Sequence, residues 1–143
     1  MWRSSDINEI EELTAKEGNW IILIKAATNV LKGDNFVFVY PEMMQNKIIV
    51  RRGEVITSEI LEKKYLKFEN INLKINTLLK KTRDKIKSRG SVVNEITTKG
   101  DFIKKIRDSI EVNPNNKYLI EVVSLKDSKT AESIIVELNV TQL

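Results

Sequence analysis

Apolar positions recur along the chain in blocks whose spacing changes from helical to alternating and back. Asp6 is placed to cap a first helix, with Glu9 three residues on and Ile7, Ile10 and Leu13 as its apolar stripe before Gly18. Trp20, Ile24, Ala27 and Leu31 continue at helical spacing towards Gly33 and predict a second helix, although the unbroken run Trp20 to Ile24 also suits a buried strand. Phe36 to Tyr40, stopped by Pro41, and Ile48 to Arg52, stopped by Gly53, are aromatic or β-branched and predict a hairpin.

Between Thr57 and Gly90 there is no Gly or Pro, and Leu61, Tyr65, Phe68, Asn72, Ile75, Leu79, Thr82 and Ile86 follow one another in steps of four and three. This seam predicts one long amphipathic helix of about 50 Å at 1.5 Å per residue. The strict alternation of Ile71 to Asn76 leaves a strand between two helices as the alternative. Ser91 to Gly100 reads as a linker and Asp101 to Glu111 as a helix with Phe102, Ile103, Ile106 and Ile110 inward. Tyr118 to Leu125 and Ser133 to Val140 predict a second hairpin around the polar turn Lys126 to Thr130. The expected fold is α+β, with N-terminal helices, two short β-hairpins and a long central amphipathic helix, in a single domain over residues 1–143.

Composition narrows the chemistry. Across 143 residues there is no Cys and no His, which removes the Cys-His and Ser-His-Asp arrangements, Cys-based zinc sites and disulfides. The five glycines stand apart at 18, 33, 53, 90 and 100, so neither a Walker A loop nor a dinucleotide fingerprint is present. Glu9, Glu11 and Glu12 read as a cap and surface charge, and Asp127 to Glu132 as a turn in which side chains do not converge. No catalytic residue, metal site or cofactor is expected. Arg3, Ser4, Ser5 and Asp6 follow the first two residues in place of an apolar signal core, and the longest apolar run falls far short of the ~20 residues that cross a bilayer. A cytoplasmic protein with no membrane contact is the expectation.

Charge singles out one segment. Residues 80–89 carry six basic side chains and one acidic one, a local +5 within a chain of net +4, so all other residues together sum to −1. Lys80, Lys81, Arg83, Lys85, Lys87 and Arg89 repeat about once per helical turn, a spacing that suits sequence-independent contact with the phosphates of DNA or RNA. Arg51 and Arg52 are secondary candidates, of which a strand would align only one with that patch. The competing reading is a solvated helix end favoured by the helix dipole. No aromatic residue lies in the run, which argues against base stacking.

The seam invites a second expectation. Asn72 among apolar neighbours can set register across an oligomer interface formed by Leu61, Tyr65, Phe68, Asn72, Ile75 and Leu79. The expected protein is therefore a small non-enzymatic nucleic-acid-binding protein, oligomeric or part of a larger assembly. The alternative is a structural or adaptor protein that binds another protein through the 61–86 apolar seam.

Overall fold

A run of apolar residues with no polar alternation suits a strand as well as a helix, and Trp20–Ala26 is a strand, β1, paired antiparallel with Val39–Gln45, β2. The structure is a computed structural model that describes residues 19–26, 38–62, 68–112 and 116–143. The chain divides into two compact units, Met1–Lys47 and Ile48–Leu143. In the first, the ribbon runs in register from Trp20 opposite Gln45 to Ala26 opposite Val39. Pro41 sits opposite Ile24, in a two-stranded ribbon whose outer edge tolerates its missing N–H. Lys25 and Glu42 form an ion pair across the strands, and the hydrogen bond that Lys25 donates to Glu42 raises the Lys25 pKa above its ordinary value.

The second unit is built from Ile48–Val50 (β3), Val55–Leu61 (β4), helix Phe68–Ser88 (α1), Ile96–Thr98 (β5), helix Phe102–Val112 (α2), Tyr118–Ser124 (β6), Ser128–Lys129 (β7) and Ile134–Gln142 (β8). Four strands form a mixed sheet in the order β4-β6-β8-β5, antiparallel except for the β5/β8 pair, and β3 pairs with β7 separately. Along β8, buried Ile134, Val136 and Leu138 alternate with the more accessible Ile135, Glu137 and Asn139, the period-two signature of a sheet covered on one face. On the covered face α1 packs against β4, α2 against β8, and the helices touch each other. Asp101 caps α2 by accepting from the Lys104 backbone N–H at 3.1 Å, and the Tyr118 hydroxyl ties β6 to α2 by donating to the Ser109 carbonyl.

The α+β expectation with N-terminal helices and one long central helix is corrected: among the described residues the structure is mostly β, with two helices and three sheets. The expected helix from Trp20 to Leu31 is a strand over its described part, where β-branched Ile21, Ile22 and Ile24 favour extended backbone. The first expected helix, Asp6 to Gly18, lies outside the described residues. Phe36 to Tyr40 and Ile48 to Arg52 do not form a hairpin with each other; β2 pairs with β1, and β3 pairs with β7, nearly eighty residues on. The expected linker Ser91 to Gly100 contains β5, parallel to β8. Tyr118–Ser124 and Ile134–Gln142 do pair antiparallel as a C-terminal hairpin, and α2 lies where its apolar period places it.

The long helix fails at its N-terminal part because Leu61 is a strand residue, in register with Tyr118, which happens to fall seven residues before Phe68. Helix α1 has 21 residues, and its buried side chains among those described are Ile71, Ile75, Leu78, Thr82 and Ile86, in steps of four, three, four and four. Relative to the expected seam, Ile71 and Leu78 replace Asn72 and Leu79, which are only half-buried. The helix ends in a Schellman motif: Ser91 N–H donates to the Ile86 carbonyl, Gly90 N–H to that of Lys87, and Gly90 takes φ +105°.

Thr82 is fully buried within this apolar face and is satisfied there. Its hydroxyl donates to the Leu78 carbonyl at 2.8 Å, so the 2.6 Å contact with Thr57 on β4 has Thr57 as its donor. We predict that Thr82→Val lowers stability by about 1–2 kcal/mol, because Thr57 is left without its acceptor. With Thr57→Val added, the double variant should lose less than the two single losses combined, as measured by denaturant unfolding. Strictly additive losses would show that the hydroxyls do not interact.

Candidate nucleic-acid interface

Two strands beneath α1 each carry one residue too many. The β4/β6 register passes from Val55 opposite Val123 to Thr57 opposite Val122, leaving Ile56 unmatched. The β3/β7 register passes from Ile48 opposite Lys129 to Val50 opposite Ser128, leaving Ile49 unmatched. A bulged residue's backbone groups are lost to the ladder and need partners elsewhere. Helix α1 and the residue after it supply them for both carbonyls: Lys85 Nζ donates to Ile56 O at 2.7 Å, and Arg89 Nη1 to Ile49 O at 3.1 Å.

These two contacts continue a polar strip along one flank of α1. Lys74 pairs with Glu59 at 2.8 Å and Thr82 meets Thr57, so residues 74, 82 and 85 of the helix, and Arg89 just after it, engage residues 59, 57, 56 and 49 in turn. The helix therefore runs antiparallel to β4, with its rotation set by hydrogen bonds on one flank and by apolar burial beneath. Glu59 Oε2 is buried without a hydrogen-bond partner, beside a depression of about 210 Å³ that Leu73, Lys74 and Thr77 also line.

The turn after β3 is held as firmly. Glu54 N–H donates to the Arg51 carbonyl at 3.1 Å, and Gly53 takes φ +81°, which with Arg52 at the preceding corner makes a type II turn. Arg51 N–H donates to Glu54 Oε1, and Arg52 N–H donates to Asp127 Oδ1 at 2.7 Å, so two carboxylates fix its backbone while both arginine side chains are exposed. Glu54 also forms an ion pair with Arg89, joining the turn to the end of α1. Burial alone would push the Glu54 carboxyl up; the hydrogen bonds from Arg89 and the Arg51 N–H, with the charges of Arg89 and Lys85, outweigh it and hold the pKa below its ordinary value.

The eight basic candidates thus separate by position. Lys85 and Arg89 donate inward to bulge carbonyls, and Arg89 also to Glu54. Lys80, Lys81, Arg83, Lys85 and Lys87 are all exposed on α1, Lys85 with its ammonium engaged by the Ile56 carbonyl. At about 100° per residue Lys80, Arg83 and Lys87 lie within about 60° of one another, on the side away from the core, while Lys81 stands on the β4 flank. Arg51 and Arg52 are in a turn, not on a strand, so both are available where the alternation of a strand offers one. Glu54 and Asp127, which hold that turn, were not legible as site residues; the trace they leave is Arg-Arg-Gly-Glu, a type II turn signature followed by a carboxylate.

Four of the six residues expected at an oligomer interface are among the described ones. Leu61 and Ile75 are buried in the core of their own unit, Leu79 packs against that core, and Asn72 is half-buried on α1. Tyr65 and the side chain of Phe68 lie outside the described residues. Among the described residues no group of three or more acidic side chains is placed to hold a metal ion, and no helix is long and apolar enough to cross a membrane. The chain matches no protein-family model, no curated protein and no solved structure.

Two outcomes follow from the inward cations. Lys85→Met should cost about 1–3 kcal/mol of unfolding free energy, since the Ile56 carbonyl loses its donor, whereas Lys80→Met should change stability by less than about 0.5 kcal/mol. Chemical denaturation of the two variants checks this, and equal stabilities would remove the capping role. The second concerns pH. With no His, stability should be flat from about pH 6 to 8. The Glu54 carboxyl is depressed in the folded state, so its contribution is complete above the ordinary value of 4.5 and is lost as pH falls through the folded value below it. Glu54→Gln should flatten that acid limb of a thermal-melt series; an unchanged limb would show that Glu54 does not carry it.

Proposed function

We propose that this protein binds nucleic acid without catalysing its breakdown, by contacting the phosphate backbone through the outward face of α1. One observation carries the reading. Packing employs Ile71, Ile75, Leu78, Thr82 and Ile86, and capping employs Lys85 and Arg89, yet Lys80, Lys81, Arg83 and Lys87 are still exposed on the helix surface. Asp84 subtracts one charge from that face, leaving it strongly cationic over two helical turns. Arg51 and Arg52, exposed in a turn tied by Glu54 to Arg89, extend the charge past the end of the helix.

Cations at such spacing attract phosphates by releasing condensed counterions, a sequence-independent term. The ridge carries no aromatic side chain, which favours backbone contact over base stacking. Binding of this kind suits a cytoplasmic protein.

Of the seven exposed cations among Arg51, Arg52 and residues 80–87, Lys85 is engaged by the Ile56 carbonyl, and the other six set a ceiling on salt dependence: log affinity against log salt should fall with a slope no steeper than about −5, at about 0.9 per phosphate contacted. Replacing Lys80, Arg83 and Lys87 together by Ala should flatten that slope by about three and leave folding intact, because Ala favours helix and none of the three is buried. Fluorescence anisotropy with labelled duplexes over a salt series measures both. Absence of binding at low salt, or a slope indifferent to the triple substitution, returns these cations to a solvated helix face.

A further inference from the structure

The outward ridge of α1 is longer than its charged part. Stepping back from Lys87 by four, three, four and three residues gives Arg83, Lys80, Asn76 and Leu73, all exposed, so one straight ridge runs from an apolar and an amide side chain to three cations. Leu73 is 65% exposed, the most accessible large hydrophobic residue among those described, and it lies opposite the core. Half-buried Asn72 flanks it. Leu73 also borders the depression beside Glu59 but is not buried in it.

Resting on the reading of α1 as a nucleic-acid helix, we infer that the ligand is double-stranded DNA and that Leu73 and Asn76, with Asn72 beside them, read A·T base pairs in the major groove while Lys80, Arg83 and Lys87 hold the adjacent phosphates. An α-helix with its side chains is about 10–12 Å across and the major groove of B-DNA is about 12 Å wide, whereas the deep, narrow major groove of A-form RNA does not admit one. The ridge from Leu73 to Lys87 spans about 21 Å, or about six base pairs. Asn is the side chain that donates to N7 and accepts from N6 of adenine as a pair, and an apolar side chain complements the thymine methyl. Placing base-reading residues in the N-terminal half of the helix and phosphate-reading ones after them is how a helix entered into a groove divides its work.

The test uses the full chain and four labelled duplexes of equal length at one fixed salt concentration: A·T-rich DNA, G·C-rich DNA, the A·T-rich DNA with thymine replaced by uracil, and the A·U-rich RNA duplex. The A·T-rich DNA should bind at least about tenfold more tightly than the G·C-rich DNA. Removing the thymine methyls should cost a few-fold, and the RNA should bind no better than the G·C-rich DNA. The variant Leu73→Ala with Asn76→Ala should lose the preference while keeping both its G·C affinity and its salt slope; circular dichroism establishes that it is folded. Equal affinity for all four duplexes, or a preference that survives the double substitution, overturns the inference and leaves backbone binding standing. Failure to bind any duplex overturns both.

Discussion

The rotation of α1 about its own axis is the constraint on which the rest of the second unit depends. Two strand bulges leave the Ile49 and Ile56 carbonyls outside their ladders, and Arg89 and Lys85 reach down to them from the last turns of the helix. An unsatisfied buried carbonyl costs on the order of 1–3 kcal/mol, a sizeable part of a small domain's stability, so these donors are held in place. Once they point inward, and Ile71, Ile75, Leu78 and Ile86 are seated on the sheet, the directions of all other side chains on α1 follow from helical geometry. The outward ridge is therefore a consequence of how the bulges are capped.

This gives the basic segment two separate employments. Lys85 and Arg89 sit near the helix C-terminus, where the dipole favours cations in any case, and there they stabilise strand irregularities and the Arg51–Glu54 turn. Lys80, Arg83 and Lys87 carry the same charge a few residues away, on the side of α1 turned from the core. Charge alone does not distinguish these groups, because what separates them is an angle about the helix axis. The same angle turns Leu73 and Asn76 away from the core.

The architecture was legible only where one period held over a whole element and one face was buried. Helix α2 and the antiparallel pair β6/β8 are of that kind. The ribbon β1/β2 was not, because apolar side chains on both faces erase the alternation that marks a half-buried strand. The break between β4 and α1 was hidden by coincidence, since Leu61 of the strand keeps heptad spacing with Phe68 of the helix. Within the site, the basic run stood out by charge count, but the inward turn of Lys85 depends on a bulge, and the holding of Arg52 depends on Asp127, which is distant in sequence. Such contacts are set by tertiary register and leave no local period to read.

The most direct test of the account is the reactivity of individual lysines. Amine-specific labelling of the folded protein, followed by mass spectrometry over time, should modify Lys80, Lys81 and Lys87 quickly and Lys85 markedly more slowly, because only the Lys85 ammonium is engaged with a backbone carbonyl of β4. Unfolding in denaturant should bring all four to one rate. Equal rates for the four lysines in the folded protein would contradict the assigned rotation of α1, and with it the separation of its cations into those that hold the fold and those that face a ligand.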